Sequence, residues 1–220
     1  KNNLPFENVN YNKNNYNIYS DQEVEVLTAP ENSVEKILPL INSAKKSIYI
    51  EQFYIKKWGD SPNPFLEAAI QKAREGVDVK ILLDSNYYNL EGKNNNQDVV
   101  DYVNKLYSKK IEAKLINLGK LDFAELHNKG VIIDNEKVLV SSVNWNENSP
   151  KNNREVGVII TGGSAKYFSS LFLKDWEGSK SVTTGQIIEE SKTQIVYIVV
   201  FILVLTAVYY FAKHRPKKSK

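Results

Sequence analysis

The segment Leu126 to Ile160, LHNKGVIIDNEKVLVSSVNWNENSPKNNREVGVII, constrains the fold more than any other part of the chain. Two short runs of Val, Ile and Leu meet at the polar turn Asp134-Asn135-Glu136-Lys137, and a third, Val156 to Ile160, follows a polar loop. Short β-branched runs bounded by turn residues read as strands. Side chains two apart on a strand share a face, so His127 and Lys129 point the same way, as do Ser142 and Asn144 on the returning strand. With Asn135-Glu136 as a two-residue turn, Lys129 is expected opposite Ser142 and His127 opposite Asn144. Asn-Glu is a weak turn pair, and a slip of one residue would break that pairing.

Four polar groups converging on one face of a hairpin suit phosphodiester chemistry. An imidazole can attack phosphorus or protonate a leaving oxygen near neutral pH. An ammonium group supplies positive charge for the phosphate oxygens, and a hydroxyl and an amide donate hydrogen bonds as charge develops. Glu155 opens the third strand and is placed to orient the imidazole through its other nitrogen. Taken residue by residue, the same pattern also fits a partly buried histidine beside a surface lysine.

The motif His127-x-Lys129-x4-Asp134, then Ser141-Ser142-x-Asn144, then Asn153-Arg154-Glu155 resembles the signature of the phospholipase D superfamily. The positions that match are His127, Lys129, Asp134, Ser142, Asn144 and Glu155. One departs: the family glycine is Ser141 here, which crowds the strand but removes no reacting group. The resemblance runs from about Glu23 through Trp176 and includes SIYIEQFYI from Ser47 and AREGVDVKILLD from Ala73. It implies one half of a phospholipase D-like α/β/α sandwich. His127, Lys129, Asn144 and Glu155 would be catalytic, Ser142 and Asp134 supporting, with no metal or other cofactor. Asp134, at the hairpin turn, is expected to be structural.

The rest of the chain reads as an α/β layered domain over residues 23–178. Residues 1–22 are Asn-rich and read as linker. A strand is predicted at Glu23 to Thr28. A helix follows Ser33, with Val34, Ile37, Leu38, Ile41 and Ala44 on one face. A strand carries Ile48, Ile50 and Phe53. A helix begins at Pro64 and closes at Gly76. Val77 to Asp84 is apolar enough for burial on both faces. Val99, Val100, Val103, Leu106 and Tyr107 form a helical stripe, Ala113 to Asn117 a strand, and Ala165 to Trp176 an amphipathic helix. Its Phe168, Leu171, Phe172 and Trp176 are expected in the core. Alternating strands and helices predict layers around one core.

Ile195 to Ala212 holds 18 residues without a charge. As a helix that run is ~27 Å long, the thickness of a bilayer's hydrocarbon core, and tyrosines stand near both ends. Lys213 to Lys220 is basic, and Glu189 and Glu190 precede the run. The expectation is therefore one transmembrane helix, residues 179–194 as tether, and 213–220 as a basic cytoplasmic tail. The domain would lie outside a cell membrane. The chain has no methionine, so it is expected to be a fragment or a processed product preceded by a targeting segment. No cysteine is present, which excludes disulfides and cysteine ligands.

The part before Ile195 has 24 basic and 26 acidic residues, a net charge of −2. It lacks the basic excess that duplex binding uses, which favours a phospholipid over a nucleic acid substrate. Attack at phosphorus also needs a nucleophile on one side and an acid on the other, and the domain has a single histidine. In the resembling family two halves face each other, one histidine forming a phosphohistidine and the other protonating the departing alcohol. The Asn-rich start favours an upstream half in a parent chain, with His127 as the acid. In a homodimer His127 would serve both roles. Two other readings stand beside this one: a surface-tethered nuclease of the same family, and a catalytically inactive membrane adaptor whose only support is Ser141.

Overall fold

A single seven-stranded sheet organises the computed structural model, which describes residues 23–106, 109–121 and 123–179. The strands are β1 (Glu23–Ala29), β2 (Ser47–Gln52), β3 (Asp78–Leu83), β4 (Ile111–Leu115), β5 (Lys129–Ile133), β6 (Lys137–Ser141) and β7 (Glu155–Thr161). They lie in the order β1-β7-β6-β5-β2-β3-β4. β2, β3 and β4 run parallel, and every other neighbouring pair is antiparallel.

Helices cover both faces. On one side pack α1 (Ser33–Asn42), α2 (Pro64–Arg74) and α4 (Asn96–Asn104). Their Ile37, Ile41, Phe65, Ile70, Val100 and Val103 join Ile50, Ile81, Val131 and Leu139 in one core. On the other side lies α6 (Gly163–Gly178), whose Phe172 and Trp176 meet Leu82, Ile132 and Val138. The Phe172 ring stacks on Tyr49 at 4.9 Å between centroids. The expected α/β/α layering is therefore present, and β3 is buried on both faces by its alternating Ile81 and Leu82. Leu171 departs from expectation: it is 37% exposed, because it lies on the outer flank of α6.

Local chemistry explains the helix ends. Asn63 Oδ1 accepts from the backbone N–H of Phe65 and Leu66, and Pro64 fills the first helical position, where no N–H is needed. Gly76, with φ of 98°, takes the left-handed conformation that closes α2. At α4, Asn95 and Asp98 bond each other's backbone N–H reciprocally. Two short helices, α3 (Tyr87–Leu90) and α5 (Asn148–Asn152), carry too little periodicity to be seen in sequence. β4 begins at Ile111 rather than Ala113.

The sheet is not fully covered on the α6 side. Val24 and Val26 on β1, Val156 on β7 and Val140 on β6 are 57%, 60%, 59% and 40% exposed. The register aligns Val26 with Val158 and Val158 with Val140, so these side chains form a continuous apolar strip. Among the described residues no helix is long and apolar enough to cross a membrane. Ser179, expected to open the tether, is instead buried against the end of α6, its Oγ donating to the Asp175 carbonyl at 2.7 Å. The run Ile195 to Ala212, residues 180–194, the tail and residues 1–22 lie outside the described residues, as does Tyr107.

Candidate functional site

β2 and β3 end, β5 begins, β6 ends and β7 begins on one rim of the sheet. That rim collects His127, Lys129, Ser142, Asn144 and Glu155. Asp134 lies on the hairpin turn at the opposite rim.

The hairpin corrects the expected register. Lys129 pairs with Ser141, not Ser142, and Ile133 pairs with Lys137. The turn residues are Asp134 and Asn135, both with positive φ (55° and 59°), closed by the Glu136 N–H donating to the Ile133 carbonyl at 2.9 Å. Asp and Asn tolerate that conformation, and Glu136 is left as the extra residue of a three-residue loop. His127 is not opposite Asn144, since β6 ends at Ser141 and the chain bends. Lys129 stands on the side of Val131 and Leu139, where the core reaches the rim, and its partner on that face is Ser141.

The imidazole is the open member of the group. The His127 side chain is 67% exposed, its ring lies 4.7 Å from that of Phe53, and its Nε2 is 3.7 Å from Glu125 Oε1. Lys129 is only 5% exposed. Its ammonium donates to the His127 carbonyl at 2.6 Å and sits 4.9 Å from the Phe53 ring centre. Burial pushes the Lys129 amine down to about 8, against the pull of the Glu125, Glu155 and Asp84 charges.

Glu155 is held from several sides. Ser142 Oγ donates to it at 2.6 Å, Ser149 Oγ at 2.8 Å and Asn153 Nδ2 at 3.3 Å. Burial raises its pKa, but these donors and the Lys129 charge win, and the carboxyl lies below its ordinary value. It makes no hydrogen bond or ion pair with the imidazole. The expected Glu155–His127 contact is replaced by these hydroxyl contacts, because the chain bends after Ser141 and brings Ser142 over Glu155. Ser149 Oγ also accepts from the Asn144 backbone N–H at 3.0 Å. The Asn144 Oδ1 is buried with no partner among the described residues.

Several contributors could not be found from sequence. Asp84, fully buried, accepts from the backbone N–H of Leu126 at 3.0 Å and from Asn86 and Asn89, which fixes the chain just before His127. Gln52, paired with Lys129 across the sheet, is fully buried, and neither its Oε1 nor its Nε2 has a partner among the described residues. Tyr54 accepts from Asn146 Nδ2 at 2.9 Å, and burial followed by the Glu155 charge raises its phenol above the usual value. The only signal for these residues was polar or aromatic character at the end of an apolar strand.

Asp134 has the structural place expected of it. Its carboxylate accepts the backbone N–H groups of Lys45, Lys46 and Ser47 at 2.8, 2.7 and 2.8 Å, which ties the hairpin turn to the start of β2. The crowding expected at Ser141 is relieved opposite, by Gly157: a Cβ there would lie 2.7 Å from the Ser141 Cβ. Ser141 Oγ meanwhile donates to the Lys129 carbonyl at 2.9 Å, so the hydroxyl in place of the family glycine supports the strand pair.

A family model described as "Cardiolipin synthase, PLD-like domain" matches residues 37–176. DISARM protein DrmC of Bacillus paralicheniformis is 26% identical over 177 residues, covering 72% of this chain and 67% of that one. A Clostridium perfringens cardiolipin synthase is 25% identical over 180 residues, with 76% of this chain and 36% of that protein covered. A phospholipase D of Rickettsia bellii is 27% identical over 154 residues, covering 70% and 67%. The chain thus spans about a third of the length of that cardiolipin synthase. In fold it resembles Nuc of Salmonella typhimurium, a phospholipase D family member, with a TM-score of 0.61 at 23% identity over 74% of this chain and 100% of that one. NucT from Helicobacter pylori gives 0.60 at 21%, with 74% and 100% covered. A family match over residues 37–176, which carry β2 to β7 and the His-x-Lys rim, makes this chain a member of the phospholipase D superfamily.

Proposed function

We propose that this chain is one half of a phosphodiesterase acting on phospholipids through a phosphohistidine intermediate, anchored at a cell membrane with its domain outside. The observation that carries the reading is the pairing of an open imidazole with a buried ammonium on one rim, where His127 is the single histidine of the described residues. Lys129 and the Asn144 amide bind the non-bridging oxygens and stabilise charge as it develops. Glu155, held by Ser142 and Ser149, places a fixed negative charge near the cation.

One imidazole attacks phosphorus, a P–N bond forms, and the P–O bond to the leaving alcohol breaks as the second imidazole gives up its proton. Water, deprotonated by that second imidazole, or an acceptor alcohol then attacks phosphorus and releases the first. The second imidazole comes from another half, upstream in a parent chain or in a homodimer, that meets this rim; the uncovered valine strip, which reaches the same rim on the α6 face, is an apolar surface that half also covers. The membrane assignment rests on the charge-free run 195–212 and the basic residues after it. The phospholipid assignment rests on that anchor and on the net charge of −2 before it.

The test uses the protein together with its second half. Liposome headgroup release without plasmid nicking is the expected result, His127→Ala abolishes it with the circular dichroism unchanged, and an acid-labile phosphoryl label is trapped on a histidine. Plasmid nicking without headgroup release would place the protein with the nucleases instead. Turnover that survives His127→Ala removes the assignment altogether.

A further inference from the structure

We propose that the crevice between α2 and α4 takes an alkyl chain of a lipid phosphodiester whose phosphate lies at His127 and Lys129. The inference rests on the phosphodiesterase reading above and assigns the apolar end of the same substrate.

The crevice has a volume of about 360 Å³ and is walled by Ile55, Leu66, Val99 and Tyr102, with Lys56 and Asp98 at its edge. Pockets of that size hold small ligands when their walls are apolar and their polar groups few. It adjoins the catalytic rim. The His127 and Phe53 ring centres are 4.7 Å apart, those of Phe53 and Tyr54 5.4 Å, and the Lys56 ammonium lies 5.8 Å from the Tyr54 ring centre. Two residues, Tyr54 and Ile55, separate Phe53 from Lys56, a reach of at most ~10 Å of chain.

The walls are tied to the motif segment. The Lys56 N–H donates to the Trp145 carbonyl at 2.8 Å, directly after Asn144. Asn63 Nδ2 donates to the carbonyls of Lys56 and Trp145 at 3.0 and 2.9 Å. An occupant of the crevice is therefore held in fixed relation to the residues proposed to bind phosphate.

The lining selects an alkyl chain over a nucleobase. Asn63, the buried polar residue of the wall, is consumed: its Nδ2 by those two carbonyls and its Oδ1 by the α2 N-terminus. The Tyr102 hydroxyl donates to Glu67 at 3.3 Å. A base would need donors and acceptors aimed at its edge, whereas methylenes need only apolar wall. Lys56 and Lys57 also line the crevice, balanced by Glu67 and Asp98, so its charge does not repel an anionic diester.

Alkyl p-nitrophenyl phosphodiesters of increasing chain length, from methyl to octyl, test this with the assembled full-length protein. Each methylene that enters the crevice raises kcat/KM by about fourfold, until the crevice is full. Val99→Trp fills it and is expected to flatten that dependence while leaving the methyl diester rate unchanged. Val99→Asp, at a half-buried position, does the same by polarity should the larger side chain impair folding. A wild-type enzyme that cleaves all chain lengths equally overturns this inference and leaves the phosphodiesterase reading standing. So does a slope that survives both substitutions, or single-stranded DNA cleavage that Val99→Trp slows. If no diester is cleaved, the phosphodiesterase reading fails and the inference falls with it.

Discussion

Lys129→Met separates what this residue does for the reaction from what it does for the fold. The lysine is 5% exposed, and burial lowers its amine from the ordinary 10.5 to about 8. At about 1.4 kcal/mol per pKa unit that drop corresponds to roughly 3 kcal/mol of penalty for the charged form in the folded state. The figure already includes the favourable Glu125, Glu155 and Asp84 charges. It is an upper bound, because the ammonium reaches toward the open imidazole, where water screens it. About 1–2 kcal/mol is the expected gain when methionine replaces it at neutral pH, or ~2–8 °C in Tm for a domain of this size. The sign with pH follows from the lowered value. The wild type gains stability by losing the proton, a gain complete above 10.5 and lost as pH falls through about 8. The advantage of the variant should therefore be full below pH 8 and shrink as pH rises toward 10.5. Activity moves the other way: the variant loses on the order of 10²–10³-fold in kcat, and wild-type kcat/KM declines above about pH 8 as the ammonium discharges. Urea unfolding from pH 6 to 10, beside initial rates on a soluble diester, reads both. A variant less stable than wild type by more than about 1 kcal/mol at pH 7 would refute the reasoning, since the ammonium would then be a net structural contact.

Asp134→Ala removes the acceptor of three backbone N–H groups and puts alanine at φ of 55°. About 2–4 kcal/mol of stability should go, with kcat per folded molecule unchanged. Burial opposes the Asp134 charge, but its three donors hold the carboxyl below the ordinary 3.8. The gap between wild type and variant should therefore be full above that value and close as acid protonates the folded carboxyl, measured by urea unfolding at pH 7 and pH 3. Gln52→Leu replaces a buried amide lacking partners among the described residues with a side chain of similar shape. Stability should hold or rise by about 1 kcal/mol, and a tenfold or greater fall in kcat would show that the amide positions Lys129; unchanged kcat rules that out. Val26→Asp, on the exposed strip, should leave domain stability within about 0.5 kcal/mol yet weaken association with the second half tenfold or more by sedimentation. Equal association would place the partner elsewhere.

The fold was legible where one physical rule acted alone. Pro64 and Asn63 start α2, Gly76 ends it, and the apolar run at Val77 makes a strand buried on both faces. The hairpin register was not legible, because two turn rules competed. Counting from Asn135-Glu136 gives a two-residue loop, but Asp134 and Asn135 are the pair that accepts positive φ, and the loop formed around them. One residue of slip exchanged Ser142 for Ser141 opposite Lys129.

The site followed the same division. The residue types and the shared rim could be read from the motif and its spacing. Their mutual contacts could not, because those depend on elements distant in sequence. Asp84 reaches Leu126 from the end of β3, Ser149 reaches Glu155 and Asn144 from a five-residue helix, and Gly157 makes room for Ser141 from the next strand. Each answers a local demand, an unpaired N–H, a charge or a Cβ, that has no periodic signature.

Water at the open imidazole weakens the field that the buried ammonium and the fixed carboxylate exert on a phosphate. The arrangement gains strength when a second half closes over the rim and excludes that water. The valine strip begins at the same rim: Val156 follows Glu155 directly, and its carbonyl accepts from the Ser142 N–H at 2.9 Å. The strip lies on the α6 face of the sheet and Lys129 and Glu155 on the other, so a half that supplies the second imidazole has to close over the rim itself to exclude water from them. Association and turnover should accordingly rise together as protein concentration passes the dissociation constant of a homodimer, or be concentration-independent when both halves share one chain. Activity proportional to protein in isolated, monomeric samples of this chain would contradict the coupling.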